Sequence, residues 1–395
     1  MASRPVSVHA RALASWLLAA IVAGCGGGVD SGGTGVQPTS FASGPITGFG
    51  SVIVNAIRYD DRGATVRDGS GALRSRDDLR LGMTIDVRGA AIGTDGSGNA
   101  ASTASSIVFS SEIVGPVTAN DPVARTLTVL GQAVDVSART VFGDSLVGGQ
   151  AALVVGRVVE IYARLDVASG RYAATRIEAK PPGTTFSLRG IVSGLDTVTR
   201  TFSFGSVRVA YAGVAGVPPT LADGRFVRAT LAAAAGPGGV LTATALSDGA
   251  PRIEDHDEAK LEGRVSAFVS TTSFSVNGTP VDARSARIDG TGLALGSQVE
   301  VEGTIAGGVL VASRVKIEDE GDEEGENFEV EGSITALDTA ARTFVVREVT
   351  VSYSATVDFR GGTAVDLGVG RRVEARGRLA DDGTRLEAER IEFKD

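Results

Sequence analysis

The chain has 395 residues, 43% hydrophobic, 22% charged and 5% aromatic, with one cysteine, two histidines and a formal net charge of −9. That composition supplies apolar mass for several small cores, excludes a disulfide-braced fold, and leaves little for histidine-dependent catalysis or a zinc centre. An acidic chain with few aromatics also argues against a nucleic-acid partner, which needs a basic groove with stacking rings.

In chain order, Arg4 and Arg11 form a basic start, and residues 13–23 are an apolar run too short to span a bilayer as a helix. The run ends in Val22-Ala23-Gly24-Cys25, which resembles the lipobox of bacterial lipoproteins. In that family the signal is cut before the cysteine, and the cysteine is acylated. Carried over, residues 1–24 are a signal peptide and Cys25, the chain's single cysteine, is the site of lipid attachment. Several acyl chains anchor a protein stably where one is marginal. Gly26 follows the cysteine, not the Asp that in that family commonly retains proteins at the inner membrane, so the resemblance favours the outer membrane. The Gly-rich composition of residues 25–43 predicts a flexible tether.

Beyond the tether one phrase recurs five times. Its starts are Gly44-Pro45-Ile46, Gly115-Pro116-Val117, Gly190-Ile191-Val192, Gly263-Arg264-Val265 and Gly332-Ser333-Ile334. A fixed period near 70 residues means tandem modules. An alternating block follows, beginning at Val52, Leu127, Phe202, Phe274 and Phe344. In the fourth copy it reads Phe274-Ser275-Val276-Asn277-Gly278, a strong hairpin signal because both turn residues need positive φ. The other copies carry Asn55-Ala56, Leu130-Gly131, Gly205-Ser206 and Arg347-Glu348 there, so their hairpins are inferred from alignment.

Next, Leu79, Leu153, Leu221, Leu293 and Leu367 each stand three residues before a glycine: Gly82, Gly156, Gly224, Gly296 and Gly370. Apolar residues at +3 and +5 from each glycine predict a strand with one buried face, and the glycine a bend into it. The phrase ends Ala104…Ile107, Ala174…Ile177, Ala243…Leu246, Ala312…Val315 and Ala388…Ile391. Each module therefore reads as five short strands. The fold class is all-β: a tandem array of five small OB-like barrels, or small sandwiches, after a lipoprotein signal and tether. Boundaries fall at 44–112, 113–182, 183–253, 254–319 and 320–395, the last two modules with acidic leaders.

Charge is uneven. Residues 44–253 carry 20 bases and 17 acids, and residues 254–395 carry 16 bases and 29 acids. The expectation is an acidic far end that keeps the array soluble and away from anionic lipid. Chemistry-bearing candidates are sparse. His256, in Glu254-Asp255-His256-Asp257-Glu258, could bind a divalent cation but reads more simply as a solvated linker. The acidic run 318–326 lacks the EF-hand order and reads as a charged spacer. Asp60, Asp135 and Asp282 follow the hairpins and read as strand-end residues bonding nearby backbone N–H groups. Arg176, Arg314 and Arg390 could form a ligand-facing row, but pairing across to glutamates of the previous strand is the simpler reading. The third module is basic through Arg189, Arg200, Arg208, Arg225, Arg228 and Arg252. No catalytic set, metal site or cofactor is legible.

The first module, residues 44–60 followed by Leu79-Arg80-Leu81-Gly82-Met83-Thr84-Ile85-Asp86-Val87-Arg88-Gly89, resembles the bacterial domain of unknown function 5666. The resemblance is strongest over residues 44–109 and weakest in the second and third modules. It implies a small barrel-like module in exported proteins and brings no activity. Where Gly89, Gly303 and Gly377 stand, the second and third modules have Ala163 and Leu231, which predicts a different last turn in those two.

The functional expectation is a non-catalytic, lipid-anchored envelope protein acting as a spacer or binding scaffold. Its partners would be membrane lipid, through Cys25, and an envelope protein or polymer, with no nucleic acid. A periplasmic or surface protein binding a divalent cation or envelope polymer is the alternative. A carboxylate-dependent hydrolase is the third reading.

Overall fold

The structure is a computed structural model and describes residues 39–234, 237–250, 253–318 and 327–394. Cys25, residues 26–38 of the expected tether, residues 319–326 and Arg252 lie outside the described residues. Residues 39–43, expected to belong to the tether, instead begin the first strand, because Phe41 and Ala42 are drawn into buried positions.

Each module folds as one closed circuit of five strands. In the first they are Thr39–Phe49, Val52–Val54, Ile57–Asp60, Thr84–Ala90 and Ala100–Phe109. The first strand pairs antiparallel with the second, and the second with the third. The third runs parallel to the fifth, and the fourth pairs antiparallel with both the fifth and the first. This 1-2-3-5-4-1 closure is that of a small OB-like barrel, and it leaves no full sheet edge open. The circuit recurs from Ile113–Asp121, from Phe186–Asp196, from His256–Ser270 and from Phe328–Asp338. These are called the first to fifth barrels.

The recurring residues have mechanical reasons. Gly82, Gly156, Gly224, Gly296 and Gly370 all adopt φ between +79° and +88°, a region L side chains enter only with strain. Each sends its N–H back to the first strand of its own barrel: to Ile46, Val117, Val192, Val265 and Ile334 carbonyls at 2.8–2.9 Å. The bend expected from the sequence is thus a backbone staple that closes the barrel. The starting glycines serve packing. A Cβ at Gly44, Gly115, Gly190 or Gly263 would collide with Asn55, Leu130, Phe204 or Asn277, at or beside the hairpin turn folded over it.

The hairpins form in every copy. Both turn residues have positive φ even where they are Arg347 (47°) and Glu348 (62°), as they do at Asn277 (50°) and Gly278 (89°). In the third barrel Gly205 carries the positive φ. The last strand pair holds a one-residue bulge at the same place in all five: the register slips at Gly89, Ala163, Leu231, Gly303 and Gly377. The second and third barrels share this slip. There the bulge accommodates Ala163 or Leu231 without glycine. In the others the bulged carbonyls, such as Thr103 O at 2.7 Å from a Cβ built on Gly89, leave no room for a side chain.

The barrels do not extend as a string. The first strand of a barrel changes partners along its length, pairing first with strand four and later with strand two, so each half has one open edge. In the first barrel the early half takes the fourth barrel's first strand in parallel, Ser40–Ser43 against Glu258–Leu261. Its late half takes the fifth barrel's, Gly48–Phe49 against Glu329–Val330. Ile113 and Val114 take Leu188 and Ser187 of the third barrel, here antiparallel. Cores merge accordingly. The first and fifth barrels share one buried cluster, the second and third another, and Phe41 of the first barrel is buried in the core of the fourth. The acidic end is therefore no distal tip, because the fifth barrel folds back onto the first.

Candidate functional site at the joints between barrels

The first barrel is tied to the acidic half by Arg58, which makes a two-pronged contact with Glu329 at 2.5 and 2.7 Å. Arg376 reaches the same carboxylate at 2.9 Å. Arg80 pairs with Glu348 of the fifth barrel. Arg164 of the second barrel pairs with Glu262 of the fourth, both 8% exposed, and Gln298 donates to that carboxylate at 3.3 Å. Between the second and third barrels Arg189 grips both oxygens of Glu112 at 2.9 Å and lies 4.5 Å over the Phe226 ring. Arg176 donates to Leu81 O at 2.9 Å, tying the second barrel to the first. The lopsided charge of the sequence thus has a structural use: arginines of the basic half meet glutamates of the acidic half. Charge-assisted, forked contacts of this kind fix orientation as well as contributing energy.

Apart from Arg176 and Arg189, which were noted for other reasons, these joint residues were not singled out in the sequence. A charged side chain on the outside of a barrel strand looks the same whether it faces water or another barrel. The one available signal is that Arg189 and Glu262 each immediately precede a starting glycine.

The residues that were singled out behave differently. The segment around His256 is not a solvated linker. His256 begins the fourth barrel's first strand, is 8% exposed, stacks on Phe41 at 5.8 Å, and its Nδ1 lies 3.1 Å from Thr39 Oγ1. Burial, then the nearby Arg88 guanidinium, push its imidazole below the ordinary value. The acids around it accept backbone N–H groups: Asp257 from Thr39 at 2.9 Å, Glu258 from Ile92 at 2.7 Å and Asp255 from Gly307 at 2.6 Å. The open half-edge of residues 40–43 explains the correction, since it draws this segment into a ladder. Among the described residues no cluster of three metal-ligating side chains occurs.

Arg176, Arg314 and Arg390 form no row, and the glutamates of the previous strand are not their ion-pair partners. Arg314 and Arg390 pair with Asp289 and Asp358 at 2.7 and 3.0 Å, on the strand parallel to theirs, while buried Arg176 bonds Glu178 at 2.6 Å. Asp60 and Asp282 accept the N–H of Arg62 and Arg284 two residues on, at 3.1 and 3.2 Å. The adjoining guanidiniums hold both carboxyls down at about 2. Asp135 instead holds Arg171, at 2.8 and 3.0 Å through Nε. In the third barrel Arg189 and Arg228 turn into the joints, Arg228 donating to Ser111 O at 2.6 Å. Glu318, the described end of the acidic run, is raised by burial and then by the neighbouring Glu262.

Among the cavities at these joints, two gather several arginines. One, of about 200 Å³, is bordered by the first four barrels. Its guanidiniums Arg164, Arg189 and Arg228 stand opposite Asp86, Glu112, Asp248 and Glu262, so its charges nearly cancel. Burial raises the Asp86 carboxyl there, while desolvation lowers Arg228. The other, of about 320 Å³, is bordered by the first, second, fourth and fifth barrels, and its described lining includes Arg139, Arg164, Arg264 and Asp135.

Three of these barrels match a domain of unknown function. The family is Domain of unknown function (DUF5666), and the matched residues are 114–178, 262–316 and 331–392, in the second, fourth and fifth barrels. The first barrel, expected from its residues to resemble DUF5666 most strongly, lies outside the matched segments, and the second lies within them. The first barrel differs by a short added strand, Leu73–Arg74, which pairs with Thr65–Asp68. No curated protein sequence matches the chain. A solved structure described as drosophila Unr CSD456 aligns at 15% identity over 54% of this chain and 98% of that one, with a TM-score of 0.13. That superposition is too loose to bear on the fold, which rests on the strand circuits. No helix among the described residues is long and apolar enough to cross a membrane.

Proposed function

We propose that the chain is a lipid-anchored protein of the bacterial cell envelope, favouring the outer membrane, whose barrels act together as a non-catalytic binding scaffold. The lipobox ending in Cys25, with the tether that follows it, supports the anchor. The observation carrying the scaffold reading is that the first strand, beginning at Thr39, lies between the first strands of the fourth and fifth barrels. An anchor at Cys25 would hold a compact cluster close to the bilayer rather than the end of an extended spacer. Its partner would be membrane lipid on one side and an envelope protein or polymer on the other.

The test is radiolabelled palmitate incorporation in cells, combined with protease treatment of intact cells, for the wild type and Cys25→Ala. Label on the wild type and none on the variant is the expected result. An unlabelled wild type ends the anchor reading. Cleavage from outside identifies surface display, and protection until the outer membrane is breached identifies a periplasmic scaffold.

A further inference from the structure

We propose that the late half of the fourth barrel's first strand, residues 265–270, is the surface through which two copies of this chain pair, edge to edge and antiparallel about a two-fold axis. Within its own barrel the strand is fully used on one side only. Residues 256–264 bond the barrel's fourth strand, and residues 265–270 bond the second, with Phe268 against Phe274 and Ser270 against Ser273. The first barrel's ladder reaches only Glu258–Leu261. Among the described residues, therefore, no strand lies on the outer side of 265–270. Ala267, Phe268 and Val269 are exposed there in succession, Val269 at 81%. An open, uncharged strand edge is a template for another strand.

The other barrels show both what blocks such an edge and what covers one left unblocked. Six residues after the starting glycine stand Asp121, Asp196 and Asp338 in the second, third and fifth barrels. Each ends its first strand and accepts backbone N–H groups of the turn beyond, at 2.8–3.0 Å. A carboxylate there is a charge that an incoming strand would have to strip of water. The first and fourth barrels have Gly50 and Val269 in that column. The first barrel's late half-edge is occupied: Gly48 and Phe49 lie against Glu329 and Val330 of the fifth barrel's first strand, despite a register slip on the barrel side. The fourth barrel's late half-edge, likewise without the carboxylate, has no strand of its own chain against it. What covers such an edge in this molecule is the first strand of another barrel, and a second copy supplies one. The segment Ser266-Ala267-Phe268-Val269-Ser270 carries no charge, so reversed against itself it sets no like charges opposite one another. Ala267 and Val269 also border a groove of about 500 Å³ with Pro280 and Val309, and the charged groups on its wall, Asp282 and Arg284, pair with each other. Apolar surface beside the edge is thus available to the partner copy.

The experiment is sedimentation velocity of the full chain in detergent, from about 1 to 100 micromolar, for the wild type and Val269→Asp. The wild type is expected to be a dimer at the upper end of that range. Val269→Asp gives the fourth barrel the residue its sisters carry at this position. The side chain is exposed, so the melting temperature is expected to stay as it is, while the dissociation constant rises at least tenfold because each copy brings a carboxylate into the pairing. A wild type that is monomeric throughout, or a dimer that Val269→Asp leaves equally tight, overturns the proposal. A second readout fixes the place. In a Cys25→Ala background, Val269→Cys is expected to be cross-linked to a second copy by a short bis-maleimide. Val198→Cys, on a turn of the third barrel and 91% exposed in the wild type, is not. Equal cross-linking at both positions, or capture of a different envelope protein in place of a second copy, overturns it as well. Neither readout depends on acylation, so this inference and the anchor reading fail separately.

Discussion

The joint between the first and fourth barrels and the joint between the second and fourth solve one problem by different means. The first is a main-chain ladder, Ser40–Ser43 against Glu258–Leu261, with Phe41 inserted into the neighbouring core. The second has an ion pair, Arg164 with Glu262, almost wholly withdrawn from water. A ladder tolerates most side-chain changes because its bonds belong to the backbone. A buried ion pair tolerates none at either end, because the surviving charge is left without its counter-ion. The same array is thus held by one joint that any sequence of suitable pattern could make and one that depends on two particular residues.

That contrast can be tested from its strongest consequence downwards. Glu262→Ala is expected to lower stability by about 3–5 kcal/mol, the cost of stranding a buried guanidinium, read from urea unfolding. Replacing both partners, Arg164→Met with Glu262→Met, is expected to recover most of that loss. A double variant as unstable as the single one would mean the joint depends on shape and not charge. On the ladder side, Phe41→Ala is expected to cost about 3 kcal/mol through the cavity left in the fourth barrel. A Phe41→Ala variant as stable as the wild type would place the joint's strength in the backbone alone.

Titration gives a smaller effect. The folded imidazole of His256 sits below its unfolded value of about 6.5. Its contribution is therefore complete above about pH 6.5 and is lost as pH falls from there through the folded value. Stability measured from pH 8 to pH 5 should decline more steeply in the wild type than in His256→Phe, and parallel curves would contradict the burial. Smallest of all, Arg314→Ala or Arg390→Ala should leave the unfolding midpoint unchanged within error, since both pairs are exposed and screened by solvent. A measurable loss would show that these arginines are part of a joint.

The interior of each barrel was legible in the sequence. Alternation placed Ile85 and Val87, and their counterparts through Val373 and Ala375, inside, and all are buried. The glycine before that strand announced its bend because no other residue takes φ near +85° without strain. Arg347-Glu348 could be read only by alignment, since local preference opposes the turn and the surrounding strands impose it. The joints were illegible for a different reason. Periodicity separates inside from outside, but the outer face of one barrel becomes the inner face of a pair only after packing. Glu112, Arg189 and Glu262 therefore looked like ordinary surface charges, and His256 like a residue in a polar linker. The cavity with Arg164 and Arg264 draws its wall from segments about a hundred residues apart, and no local pattern joins them.

The place where the chain enters the cluster has a mechanical consequence. From Ser40 to Ser43 the entering strand is bonded on both sides, to Asp86–Gly89 within its barrel and to Glu258–Leu261 beyond it. Inter-strand bonds lie across the strand direction, so tension drawn along the strand axis loads them together in shear instead of unzipping them one by one. A pull along the chain from its N-terminal side would therefore meet two ladders loaded in shear at once.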